Sequence, residues 1–416
     1  MRIVVLGSGL IGVTSAWFLA ADGHEVVVVD RQPEAARETS YANGGQISTS
    51  HAEPWANPAT PGKILKWLGR ADAPLLWRWS LDIARFEWGL RFLRECCPAR
   101  TRNNMRAILA LALDSRARLK DLRRELGLEY DCLEGGILHF YTDAAEFEHA
   151  IPQAALMREY GCDRVVKSAA ECMEIEPALK GSAAPIVGGT FTAGDESGDA
   201  RRFAVLLAER AAEHGVRFRY DTTVTGLTLC DGKLQGVHAV DGTQIAADAV
   251  VVAFGSYSPG LLAAQGIRIP VYPAKGYSLT IPLTAESPAP AVSLTDDGAK
   301  LVYSRLGQRL RVAGTAEFTG YDLTLNPTRL QPLLRRTRQI FPQLCFDEAA
   351  VETWCGLRPA TPSNVPLIGP TPVRGLYVNT GHGTLGWTLA VGSGQLLADL
   401  VAGRTPSIDS APYRVS

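Results

Sequence analysis

A glycine-rich turn between two short apolar segments near the N-terminus constrains the fold of this 416-residue chain more than any other feature. Residues 2–6 form a first apolar run, residues 12–21 carry apolar side chains at helical spacing, and residues 24–29 form a second, valine-rich run. The turn and the end of the second run supply the residues of a dinucleotide-binding motif, which are Gly7, Gly9, Gly12 and Asp30. This context predicts a Rossmann-like βαβ unit that binds an adenine dinucleotide.

Each residue of the motif has a separate predicted role. We expect Gly7 to make the tight turn, Gly9 to let the backbone approach the pyrophosphate, and Gly12 to let the helix pack closely on the strand. Asp30 is the predicted acceptor for the adenosine ribose, and the helix N-terminus stabilises the negative pyrophosphate. The neighbouring residues that we place at this end of the cofactor are Ser8, Leu10, Ile11 and Arg31.

The composition is that of a soluble globular protein, with 46% hydrophobic and 20% charged residues. A net charge of −1 provides no basic field that would attract nucleic acid. The eight cysteines lack the spacing of a metal site, so we expect no metal, and their pattern fits a reducing, cytoplasmic compartment. Because the apolar N-terminus contains the glycine motif, we interpret it as part of the fold and not as a signal peptide.

Nucleotide-type elements recur at three places in the chain, separated by two insertions, and the length predicts two or three domains. The predicted fold class is α/β (mixed α+β). It has a Rossmann-like nucleotide-binding domain and a discontinuous β-rich substrate domain. The first domain comprises residues 1–50, 190–265 and 350–416, and the second comprises 51–189 and 266–349. One predicted helix, at residues 201–214, is expected to be capped by Asp199.

Three later segments favour a flavin over a nicotinamide as the reacting part of the dinucleotide. Residues 40–48 are small and suit a flat ring, the strand ending near residue 255 returns towards the cofactor, and the loop 381–386 opens a helix whose amides stabilise a reduced flavin. The residues that we predict to contact the cofactor in these segments and beside them are Ala42, Asn43, Gly44, Gly45, Gln46, Ile47, Val224, Gly255, Gly381, His382, Gly383, Thr384, Leu385 and Gly386.

Several longer stretches carry a more specific signal than the glycine motif. They are residues 5–9 through 30–31, 42–48, 273–281, 356–359 and 379–387. Through them the chain, from its first residue to about Arg404, resembles the FAD-dependent D-amino-acid dehydrogenase family. That family lies within the superfamily of D-amino-acid oxidase, glycine oxidase and sarcosine oxidase. The resemblance implies a two-domain fold of the D-amino-acid oxidase type and non-covalently bound FAD.

The resemblance also implies an activity. Hydride transfer from the α-carbon of a D-amino acid to flavin N5 gives an imino acid, which hydrolyses to a 2-oxo acid and ammonia. The electrons then pass to a non-oxygen acceptor such as a quinone. Loose membrane association in the family implies a cytoplasmic protein that is peripheral on the inner face of the cytoplasmic membrane. Relatives that oxidise D-hydroxyproline or other cyclic amino acids leave the substrate open.

Four residues are our candidates for substrate binding and catalysis. Arg358 matches the arginine that binds the substrate carboxylate in glycine oxidase-like relatives, and a guanidinium suits bidentate binding of a carboxylate. Tyr303 aligns with an active-site tyrosine of relatives and is expected to hydrogen-bond the carboxylate beside Arg358. Tyr277 is a weaker candidate of the same kind, and Lys275 either faces the flavin or ends a solvated strand.

Two further residues have a tempting reactive role that we do not assign. We expect His382 to be a loop residue packed by the flavin, because hydride transfer needs only a neutral amine and an aligned Cα–H bond. Cys355 aligns with the cysteine that binds flavin covalently in sarcosine oxidases. The closer dehydrogenase relatives lack that attachment, so we expect a buried structural cysteine.

The segment from residue 55 to residue 88 is rich in tryptophan and basic residues, which suits either internal packing or a membrane interface. One hypothesis is that this segment touches the membrane and brings a quinone near the flavin. The residues concerned are Trp55, Trp67, Trp77, Trp79, Trp88, Lys63, Lys66, Arg70, Arg78 and Arg85.

The sequence leaves three other functions open. An oxidase of the same fold passes its electrons to oxygen and produces peroxide. A non-catalytic FAD-binding subunit or sensor would not need a carboxylate-binding arginine such as Arg358. A nicotinamide dehydrogenase would be colourless when purified.

Overall fold

Two large β-sheets with helices packed against them form the protein. The structure is a computed structural model and describes residues 1–67, 73–77, 81–284 and 286–415. The strands are β1 (Arg2–Leu6), β2 (Glu25–Val29), β3 (Gln46–Ile47), β4 (Leu75–Trp77), β5 (Ile137–Tyr141), β6 (Arg164–Ser168), β7 (Gly188–Thr192), β8 (Glu196–Ser197), β9 (Arg217–Arg219), β10 (Val224–Cys230), β11 (Lys233–Ala239), β12 (Gln244–Ala246), β13 (Ala249–Val252), β14 (Tyr272–Pro282), β15 (Ser293–Asp296), β16 (Leu301–Leu306), β17 (Arg309–Phe318), β18 (Glu352–Ala360), β19 (Leu367–Pro370) and β20 (Leu376–Thr380). The helices are α1 (Leu10–Ala21), α2 (Thr60–Trp67), α3 (Ile83–Glu95), α4 (Pro98–Leu126), α5 (Ala144–Glu159), α6 (Ala169–Ile175), α7 (Ala200–Glu213), α8 (Ser258–Ala263), α9 (Pro327–Ile340) and α10 (Gly386–Ala402).

The first sheet has the strand order β19–β20–β13–β1–β2–β9. β1 pairs in parallel with both β2 and β13, so the predicted βαβ unit of residues 2–29 is confirmed. The central strands are buried on both faces, which accounts for their continuous valine-rich runs. Helices α1, α7 and α10 pack together on this half of the molecule. Asp199 caps α7 as predicted, because its carboxylate accepts from the backbone N–H groups of Arg201 and Arg202.

The second sheet has the order β18–β14–β17–β16–β15–β5–β7–β6, and β4 pairs with β17. Its longest strand, β14, alternates large and small residues. Tyr277, Leu279 and Ile281 lie in an apolar cluster with residues of α9. Gly276 and Ser278 therefore point to the opposite face of the sheet, where they line a cavity.

Strand β18 pairs with a strand that the sequence places in the other predicted domain. Strand β18 lies within the range 350–416 that the sequence assigns to the nucleotide-binding domain, yet it pairs along its length with β14. It therefore belongs to the second sheet. Pairing partners that are distant in the chain leave no local signal in the sequence.

The tryptophan-rich segment is largely committed to internal packing. Trp88 on α3 is buried, and its indole N–H donates to Ala360 O at 2.8 Å. Trp77 packs against Phe318, and the buried Arg85 donates to the carbonyl oxygen of Phe318. These side chains are therefore not available to a membrane. The members of the segment that lie outside the described residues are Arg70, Arg78 and Trp79.

Candidate active site

The glycine turn after β1 has the geometry that its predicted roles require. Gly7 has a φ of +106°, and a Cβ atom there would lie 2.8 Å from Ala253 O. A Cβ atom on Gly12 would lie 1.8 Å from Gly7 O, so only glycine lets α1 pack this closely on the strand. Gly9 precedes α1 directly, and a Cβ atom on it would meet nothing nearer than Ser40 Oγ at 3.5 Å. The backbone at the start of α1 is therefore open to a ligand.

Asp30 fixes this turn from the end of β2. Its Oδ2 accepts from the backbone N–H of Ser8 at 2.6 Å and from the Ser8 hydroxyl at 2.7 Å, and its Oδ1 accepts from Gln32 N at 2.9 Å. The carboxylate is thus held against the turn while it still lines the cavity. Val224, at the start of β10, lines the same end.

A continuous cavity of about 660 Å³ extends from the glycine turn to the second sheet. The predicted cofactor residues that line it are Gly7, Gly9, Leu10, Ile11, Asp30, Arg31, Ala42, Asn43, Gly44, Gln46, Val224, Gly255, His382, Gly383, Thr384, Leu385 and Gly386. The others lie behind this lining and shape it, and they are Ser8, Gly12, Gly45, Ile47 and Gly381.

The loop between β2 and β3 connects the two halves of the cavity wall. A Cβ atom on Gly44 would lie 2.7 Å from Val302 Cγ2 on β16, so the loop lies directly against the second sheet. Arg311 on β17 donates to Asn43 O at 2.9 Å, and the side-chain amide of Gln46 donates to residues of β15. These contacts fix the loop, which lines the cavity, against strands β15, β16 and β17 of the second sheet.

His382 offers a test of whether the far end of the cavity suits a flavin. The residue is buried, its Nε2 lies 2.9 Å from Ser393 Oγ, and its Nδ1 has no hydrogen-bond partner. Burial lowers the pKa of His382 to about 3, so the ring is neutral. A group of such low basicity is poorly suited to act as a general base.

Two paired glycines on neighbouring strands of the second sheet form the floor of one end of the cavity. We call this end, lined by Arg358 and Trp354, the substrate end. Gly276 on β14 pairs with Gly356 on β18. A Cβ atom on Gly276 would lie 2.2 Å from Arg358 Cζ, and one on Gly356 would lie 1.9 Å from the Trp354 ring. The guanidinium of Arg358 and the indole of Trp354 therefore lie flat over the two glycines, and both side chains line the cavity.

Arg358 has no acidic partner among the described residues. Its Nη1 donates to Thr315 O at 2.6 Å and its Nη2 to Gly314 O at 3.4 Å, and both acceptors are neutral backbone groups. Burial lowers the pKa of Arg358 to about 10, so the group remains charged at neutral pH. A buried cation without a counter-charge, aimed into a cavity, is a site for an anion. Arg358, which the sequence predicts to bind a carboxylate, lines the cavity.

Tyr303 lies outside the cavity lining. It is fully buried in the apolar cluster under α9, with its ring edge-to-face against Phe341 at a centroid distance of 5.3 Å. Its hydroxyl has no hydrogen-bond partner, and the residue does not line the cavity. The structure therefore does not bring Tyr303 together with Arg358, because the side-chain alternation of β16 points it to the opposite face of the sheet.

The remaining candidates are also held away from the substrate end. Lys275 is buried, its Nζ lies 3.3 Å from Asp322 Oδ2, and it does not line the cavity. Tyr277 touches the cavity, but its hydroxyl donates to Glu317. Cys355 lies outside the cavity lining, and burial raises the pKa of its thiol, which disfavours a covalent bond to flavin. Its placement is that of a buried structural cysteine.

Three residues of the substrate end escaped sequence reasoning: Ser278, Thr315 and Trp354. A weak signal existed for the first, because Ala274, Gly276 and Ser278 are small residues at alternate positions of an otherwise bulky strand. Such a pattern indicates a strand face that another group approaches closely. Thr315 and Trp354 reach the site only through strand pairing, which leaves no local signal.

Comparison with known proteins agrees with this geometry. The sequence profile described as FAD dependent oxidoreductase matches residues 2–400. The chain belongs to this family. Its cofactor is therefore FAD, as the sequence predicted. It is 59% identical over 411 residues to the D-amino acid dehydrogenase of Dechloromonas aromatica (strain RCB), with 98% of each chain covered. It is 52% identical to the D-amino acid dehydrogenase of Paramagnetospirillum magneticum, with 98% of this chain and 96% of the relative covered.

Solved structures show the same fold. Glycine oxidase from Geobacillus kaustophilus superposes with a TM-score of 0.79 at 23% identity, over 100% of this chain and 98% of that chain. L-proline dehydrogenase from P. horikoshii superposes with a TM-score of 0.78 at 19% identity, over 100% and 96% of the two chains. The predicted fold of the D-amino-acid oxidase type is therefore confirmed.

Proposed function

We propose that the protein is an FAD-dependent dehydrogenase that oxidises D-amino acids to imino acids, which water then converts to 2-oxo acids and ammonia. The observation that carries this proposal is the guanidinium of Arg358, which has no acidic partner among the described residues. It lies in a cavity that is continuous with the dinucleotide-binding turn. A carboxylate is the group that every amino acid offers to such a cation. The D-amino acid dehydrogenase names of relatives at 59% and 52% identity support the choice of substrate class.

The chain's own residues bind and orient. When bound, FAD supplies the acceptor for the hydride that leaves the substrate's α-carbon. Gly9 and the first turn of α1 would hold the pyrophosphate of FAD, and the loop around Gly44 would support the flavin side. Arg358 fixes the carboxylate and Trp354 covers the floor beside it. Positioning of this kind accounts for a large part of the rate, since His382 is too weak a base for proton abstraction.

The test is anaerobic reduction of the bound flavin. D-amino acids added to the purified yellow protein should bleach the flavin absorbance, whereas the L-enantiomers should leave it unchanged. A panel of D-hydroxyproline, other cyclic amino acids and linear amino acids ranks the side chains. Bleaching by L-amino acids alone, or by no amino acid in the panel, would contradict the proposal, and the latter result would favour an FAD-binding subunit or sensor.

The same experiment run in air identifies the electron acceptor. We propose a quinone, so bleached flavin should recover slowly with oxygen and quickly with a soluble quinone analogue. Stoichiometric peroxide during turnover would instead identify an oxidase of the same fold.

A membrane contact is part of this proposal, but on other residues than the tryptophans. Helix α3 presents an exposed apolar stripe at helical spacing, with Ile83, Phe86, Leu90 and Leu93 exposed by 76%, 43%, 65% and 51%. The exposed residues Arg91 and Arg94 provide positive charge beside the stripe for an anionic lipid surface. On the buried side of α3, Phe92 lines the cavity, so a quinone dissolved in the membrane would arrive close to the flavin.

A second apolar helix does not compete with α3 for this role. The stretch Gly383–Ala402 is the one helical segment among the described residues that is long and apolar enough to cross a bilayer, and most of it is buried in the core. The contact is tested by sedimenting the holoenzyme with vesicles that contain anionic lipid. Leu90→Glu should abolish binding, and the control Val240→Glu, at an equally exposed apolar residue after β11, should not. Failure of the parent protein to sediment would contradict the contact.

A further inference from the structure

We propose that the hydroxyl groups of Thr315 and Ser278 complete the binding site for the substrate's carboxylate. The inference rests on the proposed function, because it takes Arg358 as the cation that the carboxylate meets first. It adds two binding residues that carry neutral hydrogen-bond donors. Thr315 lies outside the family-specific stretches of the sequence, and Ser278 lies within one of them, residues 273–281, where the sequence assigns it no role.

Thr315 combines three independent features. Its carbonyl oxygen accepts from Arg358 Nη1 at 2.6 Å, so it positions the guanidinium. Its φ is +55°, a left-handed conformation that is rare for a β-branched residue and that marks a position under functional constraint. Its Oγ1 is buried in the cavity wall without any hydrogen-bond partner, and the residue is only 8% exposed.

Ser278 lies on the neighbouring strand β14. It stands two residues beyond Gly276 on β14, so both residues face the cavity, and it pairs across the sheet with Trp354. Ser278 is 2% exposed, and its Oγ also has no partner. The two unsatisfied hydroxyls therefore flank the strand position over which the guanidinium of Arg358 lies.

Other buried hydroxyls also lack hydrogen-bond partners, but their residues lie away from the cavity. Those of Ser115, Thr192, Ser197 and Thr319 do not line the cavity. Within this set of described residues, only Ser278 and Thr315 line the cavity. Buried polar groups in proteins are almost always hydrogen-bonded, so a ligand that supplies the missing partner is the simplest account of the pair.

A carboxylate is the ligand that these donors fit. Its two oxygens accept about four hydrogen bonds, and a bidentate arginine supplies about two of them. Each hydroxyl has one O–H to donate, and both residues lie on strands beside the position over which the guanidinium lies. A hydrogen bond to a charged group changes affinity by about tenfold to a hundredfold.

The experiment measures binding to the FAD-loaded enzyme. The probe is propionate, a carboxylate without an amino group, and its Kd is read from the change in flavin absorbance. Thr315→Val and Ser278→Ala should each raise the Kd by about tenfold or more. Thr315→Ser, which keeps the hydroxyl, and Thr319→Val, which removes an unpartnered hydroxyl outside the cavity, should leave it within about twofold.

The outcomes separate this inference from the proposed function. Propionate binding that is lost in Arg358→Met but unchanged in both hydroxyl variants overturns the inference and leaves the proposed function standing. Propionate binding that survives in Arg358→Met removes the basis of both. Variants that bind propionate normally yet show a raised KM for D-amino acids would place the hydroxyls at the amino group, against the inference. If Thr315→Val fails to retain flavin, Ser278→Ala decides the question.

Discussion

Two buried regions of this molecule handle charge in opposite ways. Beneath the loop after β3, Asp195 accepts hydrogen bonds on both oxygens, from Arg116 at 3.0 Å and from the backbone N–H and hydroxyl groups of Thr49 and Ser50. On the cavity floor, the partners of Arg358 within the described part of the chain are two backbone carbonyls, and the hydroxyls of Ser278 and Thr315 have none there. The charge of the first region is compensated within the protein, whereas we propose that a substrate carboxylate compensates the charge of the second.

The difference shows which region serves stability and which serves binding. When a buried charge has all its partners in place, removing one of them strongly destabilises the fold, because an uncompensated charge is left buried. A buried charge without a counter-ion destabilises the fold while the site is empty, so that replacing it costs binding and not stability. Substitutions in the two regions should therefore separate the two kinds of effect.

The largest expected effect lies in the Asp195 region. Asp195→Ala should lower the free energy of unfolding by about 3–5 kcal/mol, because the Arg116 charge and several hydroxyl and amide donors lose their acceptor. Thermal unfolding of the holoenzyme measures this loss. Asp163→Ala removes the exposed second partner of Arg116 and should cost no more than about 1 kcal/mol. Equal losses in the two variants would break the comparison.

The pH dependence of stability extends the comparison to buried neutral groups. Burial lowers the pKa values of His51 and His382 to about 3, against an ordinary value of 6.5. Between these values the unfolded state binds a proton and the folded state does not, so stability is full above pH 6.5 and falls as the pH drops towards 3. Each histidine contributes a slope of about 1.4 kcal/mol per pH unit in that window. Urea unfolding at pH 7.5 and 5.0 tests this, and His51→Gln should flatten the slope.

A smaller effect is expected from closing the space under Arg358. Gly276→Ala would put a Cβ atom 2.2 Å from Arg358 Cζ and force the guanidinium away from the carboxylate. The KM for D-amino acids should rise by about tenfold with little loss of stability. Gly260→Ala is the control, since a Cβ atom there meets nothing within 4 Å although the residue also lines the cavity. An unchanged KM in Gly276→Ala would show that the guanidinium has room to shift.

The smallest effect concerns Tyr303. Because its hydroxyl has no partner and lies in an apolar core, Tyr303→Phe should leave kcat/KM within about twofold and raise stability by at most about 1 kcal/mol. Steady-state kinetics and thermal unfolding measure both quantities. A loss of activity of about tenfold would restore the tyrosine to the substrate site that sequence reasoning first assigned to it.

Local patterns explain what could be predicted. The βαβ unit, its glycines and Asp30 lie within 30 consecutive residues, so their spacing alone determines the geometry. The capping of α7 by Asp199 is equally local. Arg358 was recognised through a motif that the family shares, not through any physical property of its neighbours in the sequence.

The substrate end could be predicted only in part, for a physical reason. Its floor is made by β14, β17 and β18, whose pairing brings together residues about 40–80 positions apart. Side chains of a strand alternate between two faces, and the sequence does not say which face meets the cavity. Tyr303 and Lys275 were therefore assigned to the wrong side of the sheet, while Thr315 and Ser278 were overlooked.

The most direct test of the account is the variant Arg358→Met, which keeps the length of the side chain and removes its charge. We predict that it retains flavin, that its free energy of unfolding is not lowered, and that kcat/KM for D-amino acids falls by about a hundredfold or more. Retained kcat/KM, or a loss of stability comparable to that of Asp195→Ala, would contradict the claim that this arginine waits for the carboxylate of a substrate.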